Sequence, residues 1–454
     1  MSSDGPSPGP TQGLPPSRPH QYTFRRFRIR VTSGRDQGLE ATSEASEFCI
    51  GTAKGNQLVL TDPTVSRHHC VITATAEGFL LRDLGSRNGT TLSGCRLTEI
   101  HLRSGVQIGL GETTLRFDGL EEEISEPLSE QDRYGPALGR SPAMRRIFAV
   151  LPRIAASDST ILLEGETGTG KTLLAEAIHQ ASPRKAHPFV VVDCGAIAPT
   201  LIESRLFGHE KGAFTGADRA RVGAIQAAQA GTLFLDEIGE LPLEMQPKLL
   251  TALDQRVITR LGSSERIRVD VRVIAATNRD LREMVNRATF RSDLYYRLDI
   301  VRLRIPPLRE RPDDIVLLVE HFYEQLCGEA DPRPPDALIA AMVAQPWLGN
   351  VRQLRNAVER ALLLGDSELW KLSIEDQPPA AAAIPRIFDP SVPYRTAKER
   401  MTADWERWYL GELLRRHKGK LRAAAIAART DRGYLRELLR RHNLIEQDRE
   451  TDEE

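Results

Sequence analysis

The sequence predicts a multidomain chain: an all-β sandwich or barrel, then an α/β domain with a helical end, then a small all-α domain. Three observations predict this order. Short apolar runs separated by turn residues fill 23–117, apolar strands alternate with helical segments from about 138, and helical periodicity alone remains after about 312. A chain of 454 residues is long enough for about three domains.

The composition is that of an ordinary globular protein, with 40% hydrophobic and 27% charged residues. No apolar run reaches the length of a membrane-spanning helix, and the first residues lack the apolar core of a signal peptide. The five cysteines are odd in number, widely spaced and without a CxxC pair. This pattern indicates buried thiols in a reducing compartment. We therefore expect a cytoplasmic protein without a membrane partner.

The net charge of −1 conceals an uneven distribution. Seven acidic residues and no basic one lie between Asp118 and Asp132. Between Arg415 and Arg441 there are ten Lys or Arg against two acids, and the last nine residues are again mainly acidic. A concentrated basic segment usually has a polyanion as its partner.

Changes in composition predict the boundaries of the parts. The expected segments are a disordered tail at 1–22, a β domain at 23–117, an acidic linker at 118–137, an α/β domain at 138–373 with a helical lid from about 312, a linker at 374–393, a helical domain at 394–445 and an acidic tail at 446–454.

A phosphate-binding loop lies between the strand-like ILLE and the helical LLAEAIHQ. It fits the pattern GxxxxGK[ST] and consists of Gly165, Glu166, Thr167, Gly168, Thr169, Gly170, Lys171 and Thr172. Glycines at these positions let backbone N–H groups surround the phosphates, the lysine reaches the β and γ oxygens, and the threonine ligates Mg²⁺. The motif predicts an ATP and Mg²⁺ site.

A second apolar run, LFLDE, ends in Asp236 and Glu237. An acidic strand end alone is more often a surface feature. Beside a phosphate-binding loop, however, the first acid would orient Mg²⁺ and the second would polarise the attacking water. We therefore assign Asp236 to the metal and Glu237 to catalysis.

The most specific local sequence is LFGHEKGAFTGA, which contains Gly212, Ala213, Phe214, Thr215, Gly216 and Ala217. Together with the two nucleotide motifs, it makes about 139–373 resemble the AAA+ activators of sigma-54 RNA polymerase, the bacterial enhancer-binding proteins. In that family this loop contacts sigma-54 and transmits the ATP-driven motion. The resemblance implies a P-loop ATPase that works as a ring, usually a hexamer.

The resemblance also assigns roles to single residues. Thr277 and Asn278 match the first sensor, which reads the γ-phosphate. Arg291 and Arg297 match arginine fingers offered to the nucleotide of a neighbouring subunit, and Arg352 matches the second sensor on the lid. A cation given in trans would stabilise the charge on the γ-phosphoryl group and couple hydrolysis to assembly.

Three positions depart from the family pattern. Thr172 stands where the family often has Glu, Asp193 where it usually has an Asn that restrains the catalytic Glu, and Leu348 where it has Pro.

The N-terminal β domain resembles a forkhead-associated (FHA) domain, a phosphothreonine-binding module. The matching residues are Gly51, Ser66-Arg67-His68-His69 and Asn88-Gly89-Thr90. The resemblance implies a phosphopeptide site formed by Ser66, Arg67, Arg87 and Asn88, with His69 supporting the loops. The usual Arg after Gly51 is replaced by Thr52. A protein-docking module that kept only the fold remains an alternative.

The C-terminal block resembles a Fis-type helix-turn-helix. Met401, Trp405, Trp408 and Leu413 would line one face of its first helix, and an Ala-rich helix follows. Asp431 is expected to cap a third helix whose Tyr434, Leu435, Leu438 and Leu439 face inward. The outward Arg432, Arg436 and Arg440 would then contact the major groove of double-stranded DNA.

The leading interpretation is an ATP-driven activator that binds upstream DNA and remodels the sigma-54 closed complex, with the FHA domain as its regulatory module. Two alternatives are an AAA+ unfoldase or secretion ATPase steered by phosphopeptides, and a phosphopeptide scaffold whose ATPase has decayed. The GAFTGA loop and the terminal helix-turn-helix argue against the first. The complete set of catalytic residues argues against the second.

Overall fold

A computed structural model describes residues 20–75, 78–215, 217–327 and 333–364, together with parts of the C-terminal region (402, 406–407, 409–411, 413, 417, 421–428 and 430–442). The chain divides into two compact units, Met1–Trp370 and Lys371–Glu454. Within the described ranges, no helix combines the length and apolar character needed to cross a membrane.

The N-terminal part is a β-sandwich of a six-stranded and a five-stranded sheet, with strand orders β2-β1-β11-β10-β7-β8 and β4-β3-β5-β6-β9. Its strands are β1 (Gln21–Ser33), β2 (Glu40–Thr42), β3 (Glu47–Gly51), β4 (Leu58–Val59), β5 (Cys70–Thr75), β6 (Gly78–Asp83), β7 (Thr90–Leu92), β8 (Cys95–Leu97), β9 (Glu99–Leu102), β10 (Gln107–Leu110) and β11 (Thr113–Pro127). Alternating residues of the two sheets bury a core that includes Phe27, Phe48 and Phe117.

The acidic segment that the sequence assigns to a linker continues strand β11 as far as Pro127 and pairs with β1 down to Gln21. Its acids face arginines of β1: Glu122 lies 2.7 Å from Arg26, and Glu123 lies 4.0 Å from Arg25. Cross-strand pairs of opposite charge stabilise a sheet. The acidic run therefore forms one strand of a two-stranded ribbon, and the paired strand lies about one hundred positions earlier in the sequence.

The α/β core has a parallel five-stranded sheet in the order β15-β18-β21-β14-β22. Its elements are β12 (Arg133–Tyr134), β13 (Ala137–Leu138), α1 (Pro142–Ala155), β14 (Ile161–Glu164), α2 (Lys171–Gln180), β15 (Phe189–Asp193), α3 (Pro199–Phe207), β16 (Gly208–His209), β17 (Arg221–Val222), α4 (Ala224–Ala227), β18 (Thr232–Asp236), α5 (Gln246–Gln255), β19 (Val257–Ile258), β20 (Ile267–Arg268), β21 (Arg272–Thr277), α6 (Leu281–Asn286), α7 (Ser292–Leu298) and β22 (Val301–Arg304). The central strands are buried on both faces, which explains their continuous apolar sequences.

Three helices follow the sheet: α8 (Pro312–Cys327), α9 (Asp336–Val343) and α10 (Asn350–Leu364). They pack around the buried Trp347, whose indole N–H donates to the carbonyl of Met342 at 2.7 Å. This bundle corresponds to the expected lid.

The described part of the C-terminal unit contains α11 (Leu421–Ala427) and α12 (Arg432–Arg441). Asp431 caps α12 by accepting from the amides of Gly433 and Tyr434, as expected. Leu435 and Leu439 are buried, but the prediction that Tyr434 faces inward is wrong, because its side chain is 53% exposed. Two residues four positions apart share one helix face, and Tyr434 lies off that face.

The first helix expected in this unit falls largely outside the described residues, including Met401, Trp405 and Trp408. Leu413, on the same expected face, is buried.

The expectation of five buried cysteines holds only in part. Cys49, Cys70 and Cys194 are buried, Cys327 is half-buried, and Cys95 is exposed. Cys95 directly follows the tight turn of the β7–β8 hairpin, where the chain lies at the surface.

Candidate nucleotide site and recognition surfaces

The phosphate-binding loop leaves the buried strand β14 and enters α2 at Lys171. Gly168 and Gly170 have φ values of 81° and 106°, which favour glycine. A Cβ on Gly168 would also lie only 2.4 Å from the carbonyl oxygen of Gly349. The loop therefore needs glycine both for its backbone angle and for close contact with the lid.

Lys171 lies inside this loop and is 6% exposed. Its Nζ donates to the carbonyls of Gly165 at 2.8 Å and Glu166 at 3.3 Å, and lies 3.6 Å from Oε1 of Glu237. Backbone carbonyls and one carboxylate thus hold the ammonium group where phosphate oxygens would meet it.

The two acids at the end of β18 take different positions. Thr172 Oγ1 donates to Oδ2 of Asp236 at 3.2 Å, so the two groups assigned to Mg²⁺ are adjacent. Glu237 has left-handed backbone angles (φ 50°, ψ 50°), a conformation that stores strain at functional sites. Its Oε2 accepts from the amide of Asn278 at 3.1 Å, while Asn278 Nδ2 donates to Thr167 Oγ1 at 3.0 Å.

Asp193 does not contact Glu237 through a hydrogen bond. Its Oδ1 accepts from the amides of Gly195 and Ala196 at 2.9 and 3.0 Å, which closes the turn after β15. Glu237 is instead held by Asn278 and Lys171.

The lid closes over the loop through contacts that sequence reasoning missed. Asn350 Nδ2 donates to Glu166 Oε2 and to the carbonyl of Thr167, both at 3.1 Å. Arg309 binds Glu166 with two hydrogen bonds, of 2.7 and 2.9 Å, and this pairing holds the pKa of Glu166 below its usual range. The expected second sensor, Arg352, approaches through its backbone amide, 3.3 Å from the Gly168 carbonyl. Glu166 is a charged residue inside the phosphate-binding motif, and it was the one feature of the sequence that could have indicated these contacts with the lid.

The GAFTGA segment forms a loop between β16 and β17. The amide of Gly212 donates to the Ala217 carbonyl at 2.8 Å, and the amide of Ala217 donates to the Phe214 carbonyl at 3.0 Å. Phe214 is 39% exposed and meets the His209 ring edge-on, while Thr215 is exposed. Gly216 lies outside the described residues. A short closed loop thus presents an aromatic ring and a hydroxyl to the surface.

The base of this loop is braced on two sides. The ring of His209 contacts Ser204 Oγ at 2.7 Å and the Arg219 carbonyl at 2.9 Å. A Cβ on Gly262, in the β19–β20 connection, would lie 2.8 Å from the Cβ of Ala213. Both α3 and this hairpin are therefore in direct contact with the base of the loop.

In the β-sandwich, the predicted phosphopeptide residues lie on adjacent loops. Ser66 Oγ accepts from the Arg87 amide at 3.0 Å, and Asn88 Nδ2 donates to the Thr64 carbonyl at 2.7 Å. His69 is buried and links these loops, since it accepts from the Ser66 amide at 3.1 Å and contacts the Gly89 carbonyl at 3.3 Å. The Arg67 side chain instead donates to Ser292 of the α/β core.

Comparison with known proteins agrees with this geometry. Residues 137–304 match the family described as "Sigma-54 interaction domain". The chain carries a sigma-54 interaction domain. Residues 48–111 match the FHA domain, and residues 309–382 match an AAA+ ATPase lid domain.

The sigma-54 interaction domain has many curated relatives among transcriptional regulators. "DNA-binding transcriptional activator HyfR" of Escherichia coli is 47% identical over 283 residues, covering 60% of this chain and 42% of that protein. The "Nif-specific regulatory protein" of Herbaspirillum seropedicae is 48% identical over 252 residues, covering 54% and 46%. "Regulatory protein AtoC" of Escherichia coli is 44% identical over 274 residues, covering 59% of each chain. The chain thus spans about half the length of these relatives.

Among solved structures, NtrX from Brucella abortus in complex with ADP is 34% identical, with a TM-score of 0.49, and covers 68% of this chain and 70% of that one.

The arginines that the sequence analysis assigned to trans catalysis and to DNA have the following positions. In the sigma-54 interaction domain, Arg291 pairs with Asp293 at 2.7 Å and Arg297 with Asp254 at 2.8 Å. Neither arginine has a P-loop residue among these partners. The predicted DNA-contacting residues Arg432, Arg436 and Arg440 are exposed on α12.

Proposed function

We propose that this chain is an ATP-hydrolysing transcriptional activator. It binds upstream DNA, assembles as a ring, usually a hexamer in proteins of this kind, and remodels the closed complex of sigma-54 RNA polymerase under the control of its FHA domain. The observation that carries this proposal is the presence, in one domain, of an assembled phosphate-binding site and a braced GAFTGA loop with Phe214 exposed.

The residues present fit ATP with Mg²⁺. The hydroxyl of Thr172 and the carboxylate of Asp236 are adjacent, and oxygen donors of this kind suit a hard divalent cation. Mg²⁺, when bound, neutralises charge on the phosphates. The backbone of the loop from Gly165 to Gly170 and the Lys171 ammonium would bind and orient the triphosphate.

Glu237 would orient the attacking water and accept its proton, because its carboxylate is fixed by the Asn278 amide beside the lysine. Arg291 and Arg297 would stabilise the γ-phosphoryl charge of a neighbouring subunit. Both lie on or beside α7 and pair with exposed carboxylates. This supports a role in trans, since such ion pairs are weak and exchange readily.

A short route connects hydrolysis to the GAFTGA loop. Asp193 of β15 is the register partner of Asp236 in β18, and the Cys194 amide donates to the Asp236 carbonyl at 2.9 Å. The chain then runs through α3 directly into β16 and the loop. A shift at the catalytic strand end is therefore passed along one continuous segment to Phe214 and Thr215.

The flanking modules supply the remaining parts of the proposal. The exposed arginines of α12, at i, i+4 and i+8, form one helix face that suits the DNA major groove. The Ser66 hydroxyl accepts from the Arg87 amide and keeps its own proton to donate to a phosphate, and the side-chain amide of Asn88 lies on the adjacent loop.

The proposal is tested by measuring ATP hydrolysis and open-complex formation with purified sigma-54 polymerase at a promoter of that class, with Lys171→Ala as the inactive control. We expect both activities from the wild-type chain and neither from the variant. Hydrolysis without open complexes under any promoter arrangement would favour an unfoldase. The absence of hydrolysis would favour the scaffold alternative.

A further inference from the structure

The β-sandwich and the ATPase core meet in a contact surface with two zones. One zone is a polar cluster around Glu47, the first residue of β3. The other joins the loop at 66–68 to α6 and α7. Both bear on regulation, because α7 follows Arg291 and contains Arg297.

In the first zone, Glu47 of the sandwich faces three arginines of the core. Its carboxylate lies 3.7 to 4.0 Å from guanidinium nitrogens of Arg282, Arg302 and Arg304. Burial acts to raise the pKa of Glu47, but these arginines hold it below its ordinary value. The acid is therefore an ionised counter-ion supplied by one domain to the other.

The cluster continues along β6 and α6. Arg82 of the sandwich pairs with Asp280 of the core at 2.9 Å, and the buried Arg282 donates to the Cys49 sulfur at 3.2 Å. Asp280 also caps α6 and follows the sensor Asn278 by two residues. Docking of the sandwich thus reaches the strand end that reads the nucleotide.

In the second zone, the recognition loops themselves are bound by the core. Asn286 Nδ2 donates to the carbonyls of His68 at 2.5 Å and Leu84 at 2.9 Å. Tyr296 Oη lies 3.4 Å from His68 Nε2, and Arg67 Nη1 donates to Ser292 Oγ at 3.2 Å.

These contacts use the same loops that a phosphopeptide would use. Arg67, a predicted phosphate ligand, is directed at the hydroxyl of Ser292 rather than at Ser66. Glu283 lies against the neighbouring loop, its Cγ 2.7 Å from where a Cβ on Gly85 would be. A phosphothreonine carries about −1.5 to −2 charges and would need Arg67 while meeting the negative charge of Glu283.

We propose that α6 and α7 of the ATPase core are an internal ligand of the FHA recognition loops, so that docking and binding of a phosphothreonine peptide exclude each other. A phosphothreonine partner would then release the helix that carries the candidate fingers, because a ligand that binds only the undocked state shifts the equilibrium toward it. This inference rests on the proposed phosphothreonine recognition and assigns the docked state to the peptide-free protein.

The test compares full-length wild type with two docking variants, Asn286→Ala in the core and Glu47→Arg in the sandwich. Glu44→Arg is the matched control, an exposed acid three positions from Glu47. The probe is a degenerate phosphothreonine peptide pool, with the unphosphorylated pool beside it. Pool affinity and hydrogen exchange of residues 281–298 are measured without ATP.

Both docking variants should bind the phosphorylated pool at least roughly fivefold more tightly than wild type and exchange at 281–298 at least roughly tenfold faster. Glu44→Arg should match wild type. The phosphorylated pool alone should accelerate exchange at 281–298 in wild type. Because the two variants lie in different domains, local misfolding of one domain would not explain the same result in both.

Equal affinity of wild type and both variants for the phosphorylated pool would overturn the inference. Faster hydrogen exchange in the variants without tighter peptide binding would also overturn it, and so would binding that does not depend on phosphate in any of the proteins. The readouts do not depend on hydrolysis. If the chain opens promoters but the docking variants change neither peptide affinity nor hydrogen exchange, only the docking inference is refuted. If the docking variants change peptide affinity and hydrogen exchange as expected but the chain does not hydrolyse ATP, only the proposed function is refuted.

Discussion

Two residues of the nucleotide site owe their positions to partners that the family pattern does not name. The carboxylate of Asp193 is used by the amides of its own turn, and Glu237 is held by the Asn278 amide and the Lys171 ammonium. The contacts that restrain Glu237, the proposed catalytic acid, therefore include Asn278, the predicted first sensor, so the proposed function would link the state of Asn278 to the direction of the glutamate.

Lys171→Ala should abolish ATP binding, because the loop loses the buried cation that meets the phosphates. Glu237→Gln should still bind ATP but hydrolyse it at least roughly tenfold more slowly, since an amide keeps the shape of the group and cannot accept the proton. Binding is measured with a fluorescent nucleotide and turnover by phosphate release. Normal turnover in Glu237→Gln would exclude this residue as the base.

At the FHA loops, Ser66→Ala should abolish binding of phosphothreonine peptides, because the hydroxyl that the Arg87 amide now contacts is removed. Thr52→Arg should strengthen binding, since the Thr52 amide donates to the Ser66 carbonyl at 3.0 Å and an arginine there would add a cation beside the phosphate. Calorimetry of the full chain with phosphorylated and unphosphorylated peptide pools measures both effects. Equal affinity for the two pools in every protein would favour the protein-docking alternative.

At the scale of elements, the proposed function gives two segments of the α/β core separate tasks. The GAFTGA loop is closed by its own backbone hydrogen bonds and braced through His209, with no P-loop residue among those contacts. Helix α7 presents its arginines at its start and in its last turn, paired with Asp293 and Asp254. We therefore expect that substitutions in the GAFTGA loop, or of the candidate finger arginines, will remove their proposed functions without removing nucleotide binding.

Thr215→Ala should leave ATP hydrolysis within about twofold of wild type and abolish open-complex formation, because the exposed hydroxyl is lost at the loop tip while the nucleotide site is intact. Thr251→Ala, the same change at an exposed threonine of α5, is the control for both assays. Transcription that survives in Thr215→Ala would show that the tip does not couple hydrolysis to the polymerase.

Arg291→Ala and Arg297→Ala should bind ATP normally and lose activity, since fingers given in trans are worth roughly 10³–10⁵ in rate. Arg153→Ala, at an exposed arginine of α1, should behave as wild type. Mixing Lys171→Ala with Arg297→Ala should restore some hydrolysis at interfaces that pair an intact loop with an intact finger. Failure to recover activity in rings shown to be mixed would count against a shared site.

At the scale of the whole molecule, buried polar groups contribute to the contact between the sandwich and the core. His68 lies at this junction, with Nδ1 3.1 Å from Asn56 Oδ1 and Nε2 facing Tyr296. Burial, helped by the positive charge of Arg282, lowers the pKa of His68 from its ordinary 6.5 to about 4, against the opposing influence of Asp280 and Asp299. The docked state therefore favours the neutral ring.

Docking should consequently weaken as the pH falls. A histidine with a lowered pKa contributes its full stabilisation above about pH 6.5 and loses it as the pH falls toward about 4. Between pH 7.5 and 5.5 the docking equilibrium should fall by about tenfold. Hydrogen exchange of residues 281–298, corrected for the intrinsic rate, measures the change, and His68→Gln should flatten it. An unchanged slope in His68→Gln would assign the dependence to another group.

Local patterns in the sequence determined the phosphate-binding loop, the acids after β18, the cap at Asp431 and the division into a sandwich, an α/β domain and a lid. Each depends on residues close together in the chain, such as the glycines whose positive φ the loop requires. Tertiary structure alone decided the rest. The acids after Asp118 became a strand because Arg25 and Arg26 lie opposite them, and Glu47 became a counter-ion because arginines more than two hundred positions later surround it. The energy of an ion pair depends on the distance between the two charges in the folded structure, and the periodicity of the sequence does not reveal that distance.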